Sequence, residues 1–343
     1  MKFSALIFAA LVALPTVASD LSVRLEPIGS MNKYGNVEYN DVWGYTDSEG
    51  REYALLGVKN GTSIIEITDA PDIREIDFIP SAKSIWKDIK TYGHYAYVVN
   101  ETGGGMQILD LSGLPESVSV ANTYTGFRTS HNLFIDTERG ILFAEGNPSQ
   151  PVRIFTLEDP VNPVQVSSLG VECHDIMGQD GLLYVSEGGH GTIGVFNYDD
   201  PANPTLVARF GIPRAGYVHN AWLTEDGNTL MTTEETPGKT MKIWDVSDLQ
   251  NVKLLSEYIA PSKLAHNTHI KGNYAYISHY GSGLRIVDIS NPAQPVEVAY
   301  HTKTDANPSG FVSAWGAFPF FDSGKVLISD IEEGLFVFDY PTE

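Results

Sequence analysis

A seven-bladed β-propeller is the fold this sequence predicts, and three observations predict it. The chain repeats itself at intervals of about 40 to 50 residues, the spacing of propeller blades. Within each repeat, short runs alternate apolar and polar residues and are punctuated by Gly, Asp, Asn and Pro, with no sustained helical period. Seven copies of one strand-like run with a polar or acidic exit can be set side by side.

Those copies begin at Ser63, Met106, Val152, Gly194, Met241, Gly283 and Leu335. The clearest is Gly283-Leu-Arg-Ile-Val-Asp-Ile-Ser-Asn-Pro292, preceded by the strand-like Tyr274-Ala-Tyr-Ile-Ser-His279. Asp180-Gly181, Asp226-Gly227 and Gly272-Asn273 suit tight hairpins because these residues tolerate positive φ. The last unit has no strand after Tyr340, whereas Leu21–Ile28 resembles the outer strands of other units, such as Val164–Leu169. An N-terminal strand therefore completes the last blade and closes the ring, which leaves no open edge around it.

The chain has 343 residues, 42% of them hydrophobic, enough for one propeller core, and no linker or low-complexity tract divides it. Met1-Lys2-Phe3, an apolar run from Ala5 to Leu14, and the small residues up to Ser19 form the pattern of a secretory signal peptide cleaved after Ala18 or Ser19. The expectation is a leader over residues 1–19 and a single propeller domain over 20–343. The apolar run is too short for a membrane span, no later segment approaches one, and no C-terminal anchor is expected beyond Tyr340. The predicted product is a secreted or periplasmic monomer without a membrane span once the leader is gone. Cys173 is the single cysteine, so packing must stabilise the fold, and its expected role is that of a small buried apolar residue. A net charge of −21 argues against nucleic acid and anionic lipid; it favours solubility, divalent cations or cationic partners.

Four consecutive units open their inner strand with a histidine: His131, His174, His219 and His266. The other three place Trp43, Trp86 and Trp315 near that point. Counting outward from each hairpin turn pairs His174 with Glu187, His219 with Glu234, His266 with His279, Trp86 with Glu101 and Trp315 with Asp330. His131 and Glu145 flank a longer turn, and Trp43 meets Gly57 or Val58. The outcome is an arc of imidazoles and carboxylates at one channel mouth, facing an arc of Trp.

Two readings of this arc stand. Repeated His–carboxylate hydrogen bonds can lock strands and blades together with no further role. Alternatively, neutral imidazole with carboxylate suits a divalent zinc, copper, manganese or iron ion held by His131, His174, His219 and His266, with the carboxylates behind them. Calcium wants mostly oxygen ligands. Other histidines look weaker: three residues on from His266, His269 should point to the opposite face of a strand, and His190 sits in a Gly-rich loop. Glu234 and Glu235, being adjacent, should diverge. No nucleophile elbow, phosphate loop or His-Glu-x-x-His occurs.

Several segments resemble the choice-of-anchor B family, built of LVIVD-type repeats. They are Tyr39-Asn-Asp-Val-Trp-Gly-Tyr45, Trp86-Lys-Asp-Ile-Lys90, His219-Asn-Ala-Trp-Leu-Thr-Glu-Asp226, Gly283-Leu-Arg-Ile-Val-Asp-Ile-Ser290 and the stretch from Ala314 to Phe336. The resemblance covers essentially everything after the leader. It implies a secreted or surface propeller, held by differing C-terminal anchors or by none, and brings no settled activity. Two functions follow as expectations: a binding or interaction module taking a protein or small molecule at the channel mouth, or a metal-dependent hydrolase or oxidoreductase. In the second, Glu187 or Glu234 would accept the proton of a metal-bound water.

Overall fold

The computed structural model describes residues 16–17, 22–35, 38–145, 152–303 and 310–340. Seven sheets surround a central axis, each built on four antiparallel strands that run outward in chain order except in blade 7, and the sheets of blades 5 and 6 each carry a fifth, parallel strand. Blade 1 uses Tyr39–Thr46, Glu52–Val58, Gly61–Glu66 and Arg74–Pro80, and blade 2 Lys87–Tyr92, Tyr95–Asn100, Met106–Asp110 and Ser119–Tyr124. Blade 3 is Asn132–Asp136, Ile141–Glu145, Val152–Thr156 and Val164–Leu169; blade 4 is Asp175–Gln179, Leu182–Ser186, Thr192–Asn197 and Thr205–Gly211. Blade 5 is Val218–Leu223, Thr229–Glu234, Met241–Asp245 and Lys253–Ile259; blade 6 is Ala265–Lys271, Tyr274–His279, Gly283–Asp288 and Val296–His301. In blade 7, Ala314–Phe318, Lys325–Asp330 and Gly334–Asp339 come from the end of the chain, and Gly29–Met31 supplies the fourth strand.

The ring is therefore closed by an N-terminal strand, but a few residues later than Leu21–Ile28. Gly29 pairs with Val337 and Met31 with Leu335. Upstream, Val23–Arg24 instead adds in parallel to the outer strand of blade 6. The expected leader lies outside the described residues except for Thr16–Val17, which pair in parallel with Tyr258–Ile259 of blade 5. No helix occurs among the described residues, and none is long and apolar enough to cross a membrane.

The core lies between blades. Alternate residues of the inner and middle strands turn to the neighbouring sheet, as in the cluster joining Phe143, Ile154, Ile176, Val195, Ala221 and Leu230. Burying each such side chain contributes about 1.5–3 kcal/mol, which supplies the cohesion disulfides would give. Cys173 is buried in this cluster as a free thiol, matching the structural expectation for it. Asp180 and Gly181 both have positive φ, 52° and 78°, so that hairpin takes the turn its sequence predicts.

Inner strands carry the feature that positions the site. In blades 3 to 7 the first pairing is irregular: two successive residues face one residue of the second strand. Val218 lies opposite Glu234 but Asn220 opposite Thr233, which leaves His219 as the extra residue. Ala265 opposes His279 while Asn267 opposes Ser278, and Ala314 opposes Asp330 while Gly316 opposes Ser329, so His266 and Trp315 are likewise extra. His131 donates its amide to the Glu145 carbonyl although Asn132 is the residue paired with Glu145. His174 does the same to Ser186, the partner of Asp175. Such bulges break the period-two alternation, so neighbouring side chains can both face the axis.

Candidate metal centre at the channel mouth

The bulge stacks the channel-facing side chains in three tiers. The outermost holds His131, His174, His219, His266 and Trp315. One residue on comes a polar tier: Asp41, Asp88, Asn132, Asp175, Asn220 and Asn267 all line the channel. Two residues further comes a tier that includes Lys90, Phe134, Trp222 and His269. The space left among these tiers admits the centre of a water-sized sphere over only ≈ 20 Å³. That holds a water or a bare ion and no organic group.

The polar tier is mortar. Asp88 accepts the Leu133 amide at 2.7 Å, Asn132 donates to the His174 carbonyl at 3.3 Å, Asp175 accepts from Asn220 at 2.7 Å, and Asn220 accepts the Thr268 amide at 3.0 Å. Each bond joins one blade to the next. Gly316 occupies the equivalent place in blade 7 because a Cβ there would lie 2.0 Å from Asp41 Oδ1. Lys90, from the next tier, supplies the cation of this network, 2.5 Å from Asp88, 3.6 Å from Asp41 and 4.4 Å from the Trp43 ring centre. Burial alone would lower its pKa, but Asp88 and Asp41 outweigh burial and raise it to about 12. Burial pushes Asp175 up to about 6 and raises Asp41 as well.

Aromatic rings close the far end. Trp222 packs 4.5 Å from His269 and stacks on Phe320 at 5.6 Å, and Trp43 lies 5.9 Å from His269. Two expectations fail here. Trp43 opposes Leu55, not Gly57 or Val58, and belongs to this far tier rather than to the mouth. His269 shares the channel with His266 instead of facing away, because the bulge at His266 resets the alternation.

At the mouth the histidines touch in series. Ring centres lie 4.4 Å apart for His131–His174, 3.8 Å for His174–His219 and 4.6 Å for His219–His266; Trp315 follows at 5.2 Å and Trp86 at 5.1 Å beyond it. The arc and two of its three Trp neighbours are thus brought together. His174 Nδ1 lies 3.2 Å from the His219 carbonyl and His266 Nδ1 2.5 Å from the Trp315 carbonyl. His219 Nδ1 reaches toward the His266 carbonyl without a hydrogen bond of proper geometry. An Nδ1–H spent on a carbonyl leaves Nε2 with its lone pair free, the tautomer a metal ligand needs. Burial first, then the neighbouring imidazoles, hold His174 and His219 far below the ordinary histidine pKa; burial takes His266 down to about 3. All three rings are neutral at physiological pH.

The carboxylates predicted behind the rings are mostly engaged elsewhere. Glu187 is clamped by Arg209 through two contacts of 2.8 Å. Glu234 pairs with Lys242. Asp330 accepts the amides of Glu332 and Glu333. His279 opposes Ala265, and its Nδ1 lies 2.9 Å from Ser262 Oγ. Glu145 opposes Asn132; its carboxyl is buried with no hydrogen-bond partner among the described residues, and burial raises its pKa. Glu101 does reach the arc, 2.7 Å from His131 Nδ1.

Glu235, set aside in the sequence, is the carboxylate that matters. Its oxygen lies 3.8 Å from His219 Nε2, it is hydrogen-bonded by Tyr280, and burial raises its pKa to about 7. One donor atom each from His174, His219 and Glu235 lie within 4.8 Å of one another. Two imidazoles and a carboxylate at that separation could hold a zinc-like ion, leaving a fourth position for another ligand.

The missed residues had a signal. The pattern His-Asn/Asp-x-aromatic recurs as His131–Phe134 and His219–Trp222, with His174–Met177, His266–His269 and Asn40–Trp43 as variants. Adjacent polar residues repeated at a strand start mark a bulge, and hence two inward-facing tiers instead of one.

Seven four-stranded blades around a narrow channel, entered at an imidazole-lined mouth, define the class: a seven-bladed β-propeller. A family model described as the LVIVD repeat matches residues 85–124 and 264–302, which are blades 2 and 6. No curated protein matches the chain. Among solved structures it is similar to a "putative 6-phosphogluconolactonase" from Bacteroides fragilis NCTC 9343, with TM-score 0.63, 13% identity, and 87% of this chain and 89% of that one covered. It is also similar to a functionally unknown protein from Desulfotomaculum acetoxidans DSM 771, with TM-score 0.59, 15% identity and coverages of 79% and 87%. A second "putative 6-phosphogluconolactonase", from Bacteroides uniformis ATCC 8492, aligns with TM-score 0.55, 14% identity and coverages of 75% and 85%. At such identities the likeness shows the fold alone.

Proposed function

We propose that the protein is a propeller exported from the cytoplasm that binds small ligands at its channel mouth through one divalent transition-metal ion. His174, His219 and Glu235 are its protein ligands, and His131 and His266 flank it. The observation that carries this reading is the convergence of those three donors within 4.8 Å. Two neutral rings, that of His174 with its Nδ1 spent on the His219 carbonyl, support it, and so does a carboxyl whose proton a metal would displace near neutral pH. Export rests on the leader pattern of residues 1–19. The lactonase activity in the neighbours' names is not carried over: a phosphorylated substrate wants free cations, and the cation lining this channel, Lys90, is held by Asp88 and Asp41.

The Glu101–His131 pair favours a second reading, a metal-dependent hydrolase. His131 stands one ring from His174 and is backed by a half-exposed carboxylate. It would accept the proton of a metal-bound water, the role that Glu187 and Glu234 are too firmly paired to fill.

Elemental analysis of protein purified without chelator or affinity-tag metal tests the first reading. It predicts about one equivalent of a transition metal, lost in the His174→Ala/His219→Ala variant. Less than about a tenth of an equivalent after incubation with zinc or copper, alike in parent and variant, would sink it. Hydrolysis of activated esters that vanishes in His131→Ala, with metal content unchanged, would add the second.

A further inference from the structure

The metal donors occupy one side of the mouth, and the other side turns apolar. His266 packs against Tyr280 at 4.5 Å and Trp315 at 5.2 Å, Trp315 against Trp86 at 5.1 Å, and Tyr280 meets Phe311 edge-on at 5.1 Å. Leu264 and Ile331 fill in behind. Exposure climbs along this wall, from 1% at Tyr280 and 8% at Trp315 to 54% at Phe311. A large aromatic side chain left half in water next to a packed aromatic stack is an unfilled contact surface.

The Phe311 turn is also held at a cost. Ser313 has φ 74°, the left-handed region for a residue with a Cβ. Its position is fixed by a bridge to Tyr280, by the Gly281 amide donating to the Val312 carbonyl at 2.9 Å, and by the Ile331 amide donating to Ser313 at 2.9 Å. Backbone held in such a conformation clusters at ligand clamps. Tyr280 joins the two halves, its ring against Phe311 and its hydroxyl on Glu235.

We infer that the mouth selects small aromatic carboxylates or phenolates. The ring lies on Phe311, Trp86 and Trp315, and the anionic oxygen takes the open metal position beside Glu235. This rests on the metal reading above. A divalent ion with a single carboxylate and neutral imidazoles keeps net positive charge, which selects an anion. The ≈ 20 Å³ beneath admits no ring, so the ligand stays at the mouth and must use the wall.

Benzoate and acetate present the same donor with and without a ring. On the metal-loaded full chain, calorimetry should show benzoate binding about tenfold tighter or more, the yield of burying half a ring's apolar surface. Phe311→Ala, a change at an exposed position, should erase that preference and leave acetate affinity unchanged. Equal affinities on protein shown to carry metal would overturn the inference while the metal reading stands. A preference that survives in both Phe311→Ala and Trp86→Ala would overturn it too. A chain that takes up no metal in the parallel elemental analysis fails the metal reading, and this inference with it.

Discussion

Lys242→Met is the substitution that most sharply separates mortar from site. Lys242 and Glu234 pair inside blade 5 with side chains 3% and 1% exposed. Without the ammonium, Glu234 keeps an amide donor from Gly216 but loses its counter-charge. Stranding a buried carboxylate in this way costs about 3–5 kcal/mol. At about 2.1 cal/mol/K per residue, a chain of this length gains about 0.7 kcal/mol/K of entropy on melting, so Tm should fall about 4–7 °C. The double variant Glu234→Gln/Lys242→Met removes both charges and should recover most of the loss, since a buried pair contributes little beyond its apolar replacement. Differential scanning calorimetry reads both. Metal content should be unchanged in the double variant, because Glu235, not Glu234, faces His219. A Tm for Lys242→Met within about 1 °C of the parent, or metal lost with Glu234, would refute the assignment.

Two further outcomes follow from the channel. Gly316→Ala drives a Cβ to 2.0 Å from Asp41 Oδ1 and should cost about 1–3 kcal/mol by urea titration. Gly170→Ala, with nothing within 4 Å of the added Cβ, should stay within about 0.5 kcal/mol of the parent. His269 is held near pKa 3, chiefly by burial, below its unfolded value of about 6.5. Its neutral form therefore contributes stability that is complete above pH 6.5 and is lost as pH falls toward 3. Between pH 6.5 and 4.5 the parent should lose about 2.3 kcal/mol more than His269→Gln, the unfolded imidazole being already half protonated at pH 6.5. Equal losses in the two proteins would contradict the burial argument.

The blade count and the N-terminal closure could be read from repeats because strand alternation and turn residues are local. The arc of His131, His174, His219 and His266 was legible for the same reason. What lay behind it was not. Counting from a hairpin turn assumes one residue opposite one, and the bulges at His219, His266 and Trp315 break that rule. A single extra residue exchanges Glu234 for Glu235 and turns His269 inward. It also brings Asn220 and Asn267 to the channel wall beside the histidines that precede them. Carboxylate partners were equally hidden, since Arg209 and Lys242 reach Glu187 and Glu234 from other strands.

Anomalous diffraction from crystals of the metal-loaded protein tests the central claim most directly. The account predicts one strong peak at the channel mouth, about 2.0–2.2 Å from a nitrogen of His174, a nitrogen of His219 and an oxygen of Glu235. No peak there, or a peak only at the His190–Glu172 pair, 3.1 Å apart, would contradict it.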